Sequence, residues 1–136
     1  MAAMLARIEG KNVHVIDVDT TVHRSKVTAA TGLRELADWR PSGGGTDMGA
    51  SLRWARQRPL AVDGVVILTD NETWAGRSNP DEELAAYQQT VNDAVRVVVV
   101  SMTATGYSIA DPSSENVLQV AGLDSSLPLL LSGFPR

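Results

Sequence analysis

The sequence predicts an α/β fold with a mostly parallel sheet. Residues 65–68 (VVIL) and 97–100 (VVVV) are apolar runs typical of strands buried on both faces. A strong helix start lies between them, where Asn79 precedes Pro80 and the acidic residues 81–83. Strands that alternate with helices imply right-handed crossover connections, and therefore parallel pairing.

The other elements follow from apolar periodicity and from breaker residues. Gly10 is the expected C-terminal cap of the first helix, and Thr31 is the expected N-cap of the second. We expect helices at 1–9, 31–39, 47–57, 79–91 and 116–120, strands at 13–17, 64–69 and 96–102, an antiparallel edge strand at 22–27, and a tail after residue 127 that packs or forms a last helical turn.

Composition limits the class of protein. A chain of 136 residues is one domain, here residues 1–136. The net charge of −4 argues against nonspecific nucleic-acid binding. The absence of cysteine excludes disulfides and thiol nucleophiles, and it fits a cytoplasmic location. No apolar run is long enough to predict a signal peptide or a membrane span.

Two loops carry candidate ligands for a hard cation. The buried strand ends in TDNETWAG at residues 69–76, which places Asp70 at its carboxyl end, where open α/β sheets bind ligands. Residues 43–45 are all glycine and deliver Thr46 to the start of a helix. A threonine hydroxyl and an aspartate carboxylate suit an octahedral Mg²⁺ site completed by water.

These residues resemble two metal-site loops of a von Willebrand factor A (vWA) domain, and more narrowly the vWA half of the Ro/TROVE ribonucleoprotein family. Residues 102–112 (MTATGYSIADP) resemble that family's following strand and loop, and residues 121–128 (AGLDSSLP) resemble its last segment. The resemblance implies a Rossmann-like vWA-type three-layer sandwich, with one antiparallel edge strand on a mostly parallel sheet.

The sequence departs from the family pattern at its start. A vWA metal site also uses an Asp-x-Ser-x-Ser loop after the first strand, and residues 2–8 resemble the end of the long helix that follows that loop. We therefore expect an N-terminally truncated domain that lacks a central strand. The sheet would close up, receive a strand from a companion chain, or dimerise. With only Thr46 and Asp70 as ligands, Mg²⁺ or another divalent cation is expected to bind weakly or not at all.

The resemblance implies a non-enzymatic binding module with a partial metal-ion-dependent adhesion site (MIDAS). A protein partner would bind the face that bears Thr46, Asp70 and Trp74. The RNA-binding ring of Ro-like proteins is absent from this sequence, so any link to RNA is expected to be indirect. The neighbouring carboxylates Asp47 and Glu72 are interpreted as a helix cap and a solvated loop residue, and Asp111 as a turn former.

Two alternatives belong to other function classes. Asp17 and Asp19 follow an apolar stretch as Asp-x-Asp-x-Thr, which resembles the motif of haloacid-dehalogenase-type phosphatases, with Asp17 as nucleophile, Asp19 as acid/base and Mg²⁺ as bridge. No paired acidic motif follows downstream, which argues against that enzyme. The third alternative is a structural subunit that assembles through open sheet edges.

The remaining polar residues are interpreted as having no functional role. Arg53 and Arg56 beside Trp54 could form an RNA patch, but a solvated helix face is the favoured interpretation. His14 and His23 have no neighbouring serine or cysteine in a nucleophile context, so a catalytic triad is unsupported.

Overall fold

The fold is organised around a parallel three-stranded sheet. The computed structural model describes residues 1–38, 47–58, 60–69, 79–102, 113–122 and 124–133. The helices are α1 (Ala2–Glu9), α2 (Leu33–Asp38), α3 (Gly49–Gln57), α4 (Pro80–Thr90) and α5 (Leu127–Gly133). The strands are β1 (Ile16–Val18), β2 (Val22–Arg24), β3 (Gly64–Thr69), β4 (Arg96–Ser101) and β5 (Val117–Ala121).

Strands β3, β4 and β5 pair side by side and in parallel. The valines of β4 are buried because this strand lies between two neighbours and has helices on both of its faces. One face packs against α3 and α4 through Leu52, Leu84 and Tyr87. The other face packs against α1 and α5 through Leu5 and Leu131. The predicted three-layer α/β architecture is therefore confirmed.

Strands β1 and β2 form a separate antiparallel hairpin. The hairpin confirms the predicted antiparallel edge strand, and His23 and Arg24 on β2 are exposed as expected. In the described part of the chain, β1 does not pair with β3, so the sheet has not closed up into a single sheet.

The prediction of a short helix at residues 116–120 is wrong. This segment is strand β5, which pairs with β4 from Val97↔Val117 to Ser101↔Ala121. The amide of Val97 donates to the carbonyl of Asn116 at 2.8 Å, and the ladder continues from there. The edge of β4 would otherwise leave buried backbone groups unpaired, so tertiary pairing overrides the weak local helix signal.

Helix boundaries agree with the predicted caps in two of three cases. Gly10 ends α1 with a φ of 60°, a conformation that favours glycine. The side chain of Asn79 accepts a hydrogen bond from the amide of Asp81 at 3.1 Å and caps α4. Thr31 does not cap α2, because its hydroxyl instead accepts from the amide of Thr28 at 2.7 Å. Among the described residues, no helix is long and apolar enough to span a membrane.

Asp124 organises the turn that leads into α5. Its carboxylate accepts from both the amide and the hydroxyl of Ser126, each at 2.7 Å. The amide hydrogen bond, followed by the hydroxyl one, lowers the pKa of Asp124 from its usual 3.8. Because the folded pKa is the lower one, the stabilising effect is fully present above pH 3.8 and is lost as the pH falls through the folded pKa.

We therefore expect the Asp124 carboxyl to titrate below pH 3.8 in an NMR pH titration. The variant Ser126→Ala keeps the amide but removes the hydroxyl, so it should raise the midpoint only part of the way. A wild-type midpoint at or above 3.8 would show that the turn does not hold the charged carboxylate.

Candidate functional site

The predicted metal ligands lie outside the described residues. This applies to Thr46 and Asp70, and also to Glu72, Trp74 and Asp111. The structure instead describes the residues on which both loops are anchored, which are Thr69 before Asp70 and Asp47 after Thr46. Among the described residues, no group of three or more histidine, aspartate or glutamate side chains could hold a metal ion.

The anchor before Asp70 is the carboxyl end of β3. Thr69 is the last residue of this strand and pairs with Ser101 of β4. The carbonyl of Thr69 also accepts from the amide of Met102 at 3.1 Å, which extends the ladder by one bond. The chain therefore enters the TDNE segment from the carboxyl end of a parallel strand, as the sequence predicts.

The anchor after Thr46 is Asp47, which is only 3% exposed. Its amide donates to the carbonyl of Asp19 at 2.7 Å and joins the start of the α3 segment to the end of β1. The interpretation of Asp47 as a side-chain helix cap is wrong. Helix α3 begins at Gly49 without a side-chain cap bond, and one carboxylate oxygen of Asp47 instead meets Arg53 Nη2 at 2.6 Å.

Arg53 connects Asp47 to α4. Its Nη1 lies 2.9 Å from Oε1 of Glu83, whose other oxygen is 3.0 Å from Nη2 of Arg56. The hydrogen bond to Glu83, aided by Asp47 and opposed by partial burial, raises the pKa of Arg53 above its usual value. Asp47, Arg53, Glu83 and Arg56 are called here the α3–α4 ion network.

This network corrects the interpretation of the α3 arginines. Arg53 and Arg56 do not form the fully solvated face that the sequence favours, because both are half-buried and both donate to Glu83, which is 8% exposed. The third arginine of the group, Arg58, stacks over the ring of Trp54 at 4.4 Å. Sequence reasoning missed the network because its partners are about thirty residues apart, as for Arg53 and Glu83.

Unsatisfied atoms remain within the network. Oδ1 of Asp47 and Nε of Arg56 are buried, and neither has a hydrogen-bond partner among the described residues. A buried carboxylate oxygen without a donor is costly, so the site is incompletely satisfied beside the end of β1. A buried acceptor next in sequence to Thr46 is compatible with a site that receives a further donor or a cation.

The phosphatase motif forms a local turn. Asp17 lies in β1, paired with His23 of β2, and Asp19 follows in the hairpin turn. One oxygen of Asp19 accepts from the amide of Thr21 at 2.7 Å and from its hydroxyl at 3.1 Å. The Asp19 carboxylate therefore has a structural role, which is to hold the hairpin turn.

Thr21, His23 and Asp19 also lie within contact distance of one another. Nε2 of His23 is 2.9 Å from the hydroxyl of Thr21 and 3.2 Å from Oδ2 of Asp19. In a catalytic triad, the two ring nitrogens face the nucleophile and the carboxylate separately. Here one nitrogen faces both groups, so this cluster cannot relay a proton as a triad does. His14 lies before β1 and not within it.

The comparison with known protein families identifies the family of this chain. The family described as the Ro60 vWA domain matches residues 1–135. The chain belongs to the Ro60 vWA domain family. Two relatives are named RNA-binding protein RO60. The one from Deinococcus radiodurans is 44% identical over 93 residues, and the one from Caenorhabditis elegans is 41% identical over 93 residues.

This Ro60-type vWA domain corresponds to only part of those relatives. The matched segments cover 68% and 67% of this chain, but 18% and 14% of the respective relatives. The crystal structure of the Deinococcus radiodurans RO (RSR) protein superposes with a TM-score of 0.79 and 34% identity, over 99% of this chain and 28% of that one. The vWA assignment from three sequence motifs is thus confirmed.

A second solved structure shares the fold alone. Proximal thread matrix protein 1 from the mussel byssus superposes with a TM-score of 0.57 and 20% identity, over 96% of this chain and 41% of that one. At 20% identity the likeness supports the α/β architecture of this chain and carries no conclusion about its function. Function must therefore be argued from the site and not from the fold.

Proposed function

We propose that this Ro60-type vWA domain is a non-enzymatic binding module of a ribonucleoprotein, which binds a protein partner through the face bearing Thr46, Asp70 and Trp74. The observation that carries the proposal is the family match over residues 1–135. The names of the two relatives, both RNA-binding proteins, support the ribonucleoprotein setting. The structural roles of Asp19 and His23 in the hairpin give no support to a catalytic site.

A weak divalent-cation site is the finer part of this proposal. Asp70 follows the carboxyl end of β3, and Thr46 precedes the buried residue Asp47. The neighbouring residues Thr69 and Asp47 are held by the β3–β4 ladder and by the ion pair with Arg53, which supports a site built from two oxygen donors. Two protein donors leave most of an octahedral shell to water, so affinity for Mg²⁺ is low.

RNA contact by this domain is proposed to be indirect. The arginines at positions 53 and 56 are engaged with Glu83, and the chain carries a net charge of −4. Phosphate binding needs cationic side chains that are free to replace counterions. A companion protein, or another part of a longer protein, would supply the RNA-binding surface.

Calorimetric titration with Mg²⁺ and Mn²⁺ tests the cation site. We expect the wild-type chain to bind with a dissociation constant of about a millimolar, and Thr46→Ala and Asp70→Ala to abolish that binding. The matched control is Asp93→Ala, which removes an exposed carboxylate in the loop after α4 and should change nothing. If Asp93→Ala lost as much cation binding as Thr46→Ala and Asp70→Ala, the cation would only screen surface charge.

Fluorescence anisotropy with a labelled RNA hairpin tests the proposal that RNA contact by this domain is indirect. At physiological salt we expect binding no tighter than the nonspecific range, about 10⁻⁴ to 10⁻⁶ M, and equal for unrelated hairpins. Sequence-selective binding by the chain alone would contradict indirect recruitment. Magnesium-dependent hydrolysis of p-nitrophenyl phosphate that is lost in Asp17→Asn would contradict the non-enzymatic proposal itself.

A further inference from the structure

Asp47 is held at two points, one on its backbone and one on its side chain. Its amide donates to the carbonyl of Asp19 at 2.7 Å, and Oδ2 of its carboxylate lies 2.6 Å from Nη2 of Arg53. Because a peptide group is planar, the bond to the Asp47 amide also fixes the peptide that joins this residue to Thr46. Whatever holds Asp47 in place therefore also holds the end of the loop that carries Thr46.

Arg53 keeps the Asp47 carboxylate in the interior. The Asp47 side chain is 4% exposed, and its other oxygen, Oδ1, has no hydrogen-bond partner in the part of the chain that the structure describes. A buried carboxylate that loses its counter-ion is strongly unfavourable. Without Arg53, the Asp47 side chain would turn towards water, and that movement would strain the bond between the Asp47 amide and Asp19.

The same guanidinium reaches the helix that follows the TDNE segment. Nη1 of Arg53 lies 2.9 Å from Oε1 of Glu83 on α4. The amide of Glu83 donates to the carbonyl of Asn79 at 3.1 Å, and the side chain of Asn79 caps this helix. Asn79 is the first described residue after Asp70, so Glu83 holds the turn of α4 at which the chain leaves the second candidate loop.

A contact with two different carboxylates depends on the planar fork of arginine. The two Nη atoms lie in one rigid plane, so a carboxylate on each of them fixes how the two carboxylates are arranged. Here one carboxylate belongs to the start of the α3 segment and the other to the start of α4. Lysine carries a single ammonium group on a flexible stem, and it does not reproduce this arrangement.

We propose that Arg53 is a positioning residue for the candidate binding face. It holds the chain at Asp47, directly after Thr46, and ties it to the start of α4, the helix that follows Asp70. Arg53 acts through Asp47 and Glu83 and does not itself bind the ligand. The inference rests on the proposed function, because it gives the α3–α4 ion network a role at the face that bears Thr46 and Asp70.

A positioning role and a purely electrostatic role predict different effects on cation binding. Arg53→Met removes a positive charge, so Coulomb attraction alone would tighten the binding of Mg²⁺. Loss of positioning would weaken it, because Mg²⁺ demands nearly ideal octahedral geometry from its oxygen ligands. Arg53→Lys keeps the charge, so electrostatics alone predicts no change, whereas loss of the planar fork predicts weaker binding.

Titration with Mg²⁺ at constant ionic strength, followed by the amide chemical shifts in NMR, measures these affinities. We expect the dissociation constant to rise about tenfold in Arg53→Met, as is typical when a residue that orients a metal ligand is removed, and by part of that factor in Arg53→Lys. The matched control is Arg56→Met, which removes a charge from the same helix and a contact with the same Glu83 but leaves Asp47 paired. It should not weaken binding.

Amide hydrogen exchange in the metal-free chain tests the positioning of Asp47 directly. We expect the Asp47 amide to exchange at least about tenfold faster in Arg53→Met than in Arg56→Met, after correction for global opening measured at Val98 in the central strand. This measurement does not depend on the cation, so it reports on the hold of Arg53 on this segment alone.

The double variant Arg53→Met with Asp47→Asn separates positioning from stability. It removes both charges of the pair, so the net charge is unchanged and part of the stability is recovered. The tie to α4 is still lost, and the double variant should therefore bind Mg²⁺ more weakly than the wild-type chain. If Arg53→Met alone does not fold, this variant and Arg53→Lys decide the question.

The outcomes distinguish a failure of this inference from a failure of the cation site. If the wild-type chain shows no saturable binding of Mg²⁺, the cation site is wrong and the role of Arg53 there is lost with it. If the wild-type chain binds and the Arg53 variants bind equally or more tightly, the positioning role is wrong and the cation site stands. Equal weakening in Arg56→Met, or unchanged exchange at Asp47 in Arg53→Met, would also overturn the positioning role.

Discussion

Replacement of Arg53 by methionine is expected to lower the free energy of unfolding by about 3 kcal/mol, as is typical when one member of a buried ion pair is removed. The reason is the carboxylate of Asp47, whose side chain is 4% exposed and whose ion pair is with Arg53. Methionine keeps much of the apolar stem and removes the charge, so the variant isolates the electrostatic loss. Urea unfolding followed by circular dichroism measures the change.

Arg56→Met is the matched control for that experiment. Arg56 lies on the same helix and contacts the same Glu83, but its side chain is 37% exposed and its ion pair is with Glu83. Its loss should cost about 1 kcal/mol or less. The double variant Arg53→Met with Asp47→Asn should recover part of the stability, because the buried charge is gone. Equal costs for Arg53→Met and Arg56→Met would show that Asp47 does not depend on Arg53.

The sequence predicts the parallel half of this fold well because local and tertiary signals agree there. The boundaries of β3 are predicted to the residue, since glycine precedes the apolar run and the polar TDNE segment follows it. The start of α4 is equally well marked, because Asn79, Pro80 and the acidic first turn all favour the same helix start.

The predictions that fail depend on partners far away in the sequence. Residues 116–120 have no strong strand signal of their own, and they pair because β4 presents an open edge to them. Asp47 looks like a helix cap from its position, but Arg53 one turn and a half later draws its carboxylate away. Neither the pairing of residues 116–120 nor the partner of Asp47 can be predicted without knowing which groups tertiary packing buries.

Sequence and structure also contribute different parts of the candidate cation site. The sequence identifies Thr46 and Asp70 through family motifs, and the structure describes their anchors, Asp47 and Thr69. The geometry between the two ligands depends on how both loops approach each other, which no local pattern encodes. The ligand assignment therefore stays a prediction, whereas the fold and the family are established by the match and the superposition.

The second large effect is expected at Tyr87, which is fully buried in the cluster between the sheet and helices α3 and α4. Tyr87→Ala should lower the free energy of unfolding by about 3–5 kcal/mol, the range for removal of a buried aromatic ring. A loss of that size is a large fraction of the total stability of a small domain, so a partly unfolded population is expected at 37 °C.

Tyr87→Phe separates the hydroxyl from the ring, because Tyr87 also fixes the segment that leads into β3. Its hydroxyl donates to the carbonyl of Leu60 and accepts from the amide of Val62 at 3.1 Å. Loss of the hydroxyl should cost about 1–2 kcal/mol. It should also speed amide exchange at Val62 more than at Val98, which lies in the central strand. Uniform acceleration at both amides would mean that the hydroxyl contributes to global stability and does not position the entry to β3, the strand that delivers the chain to Asp70.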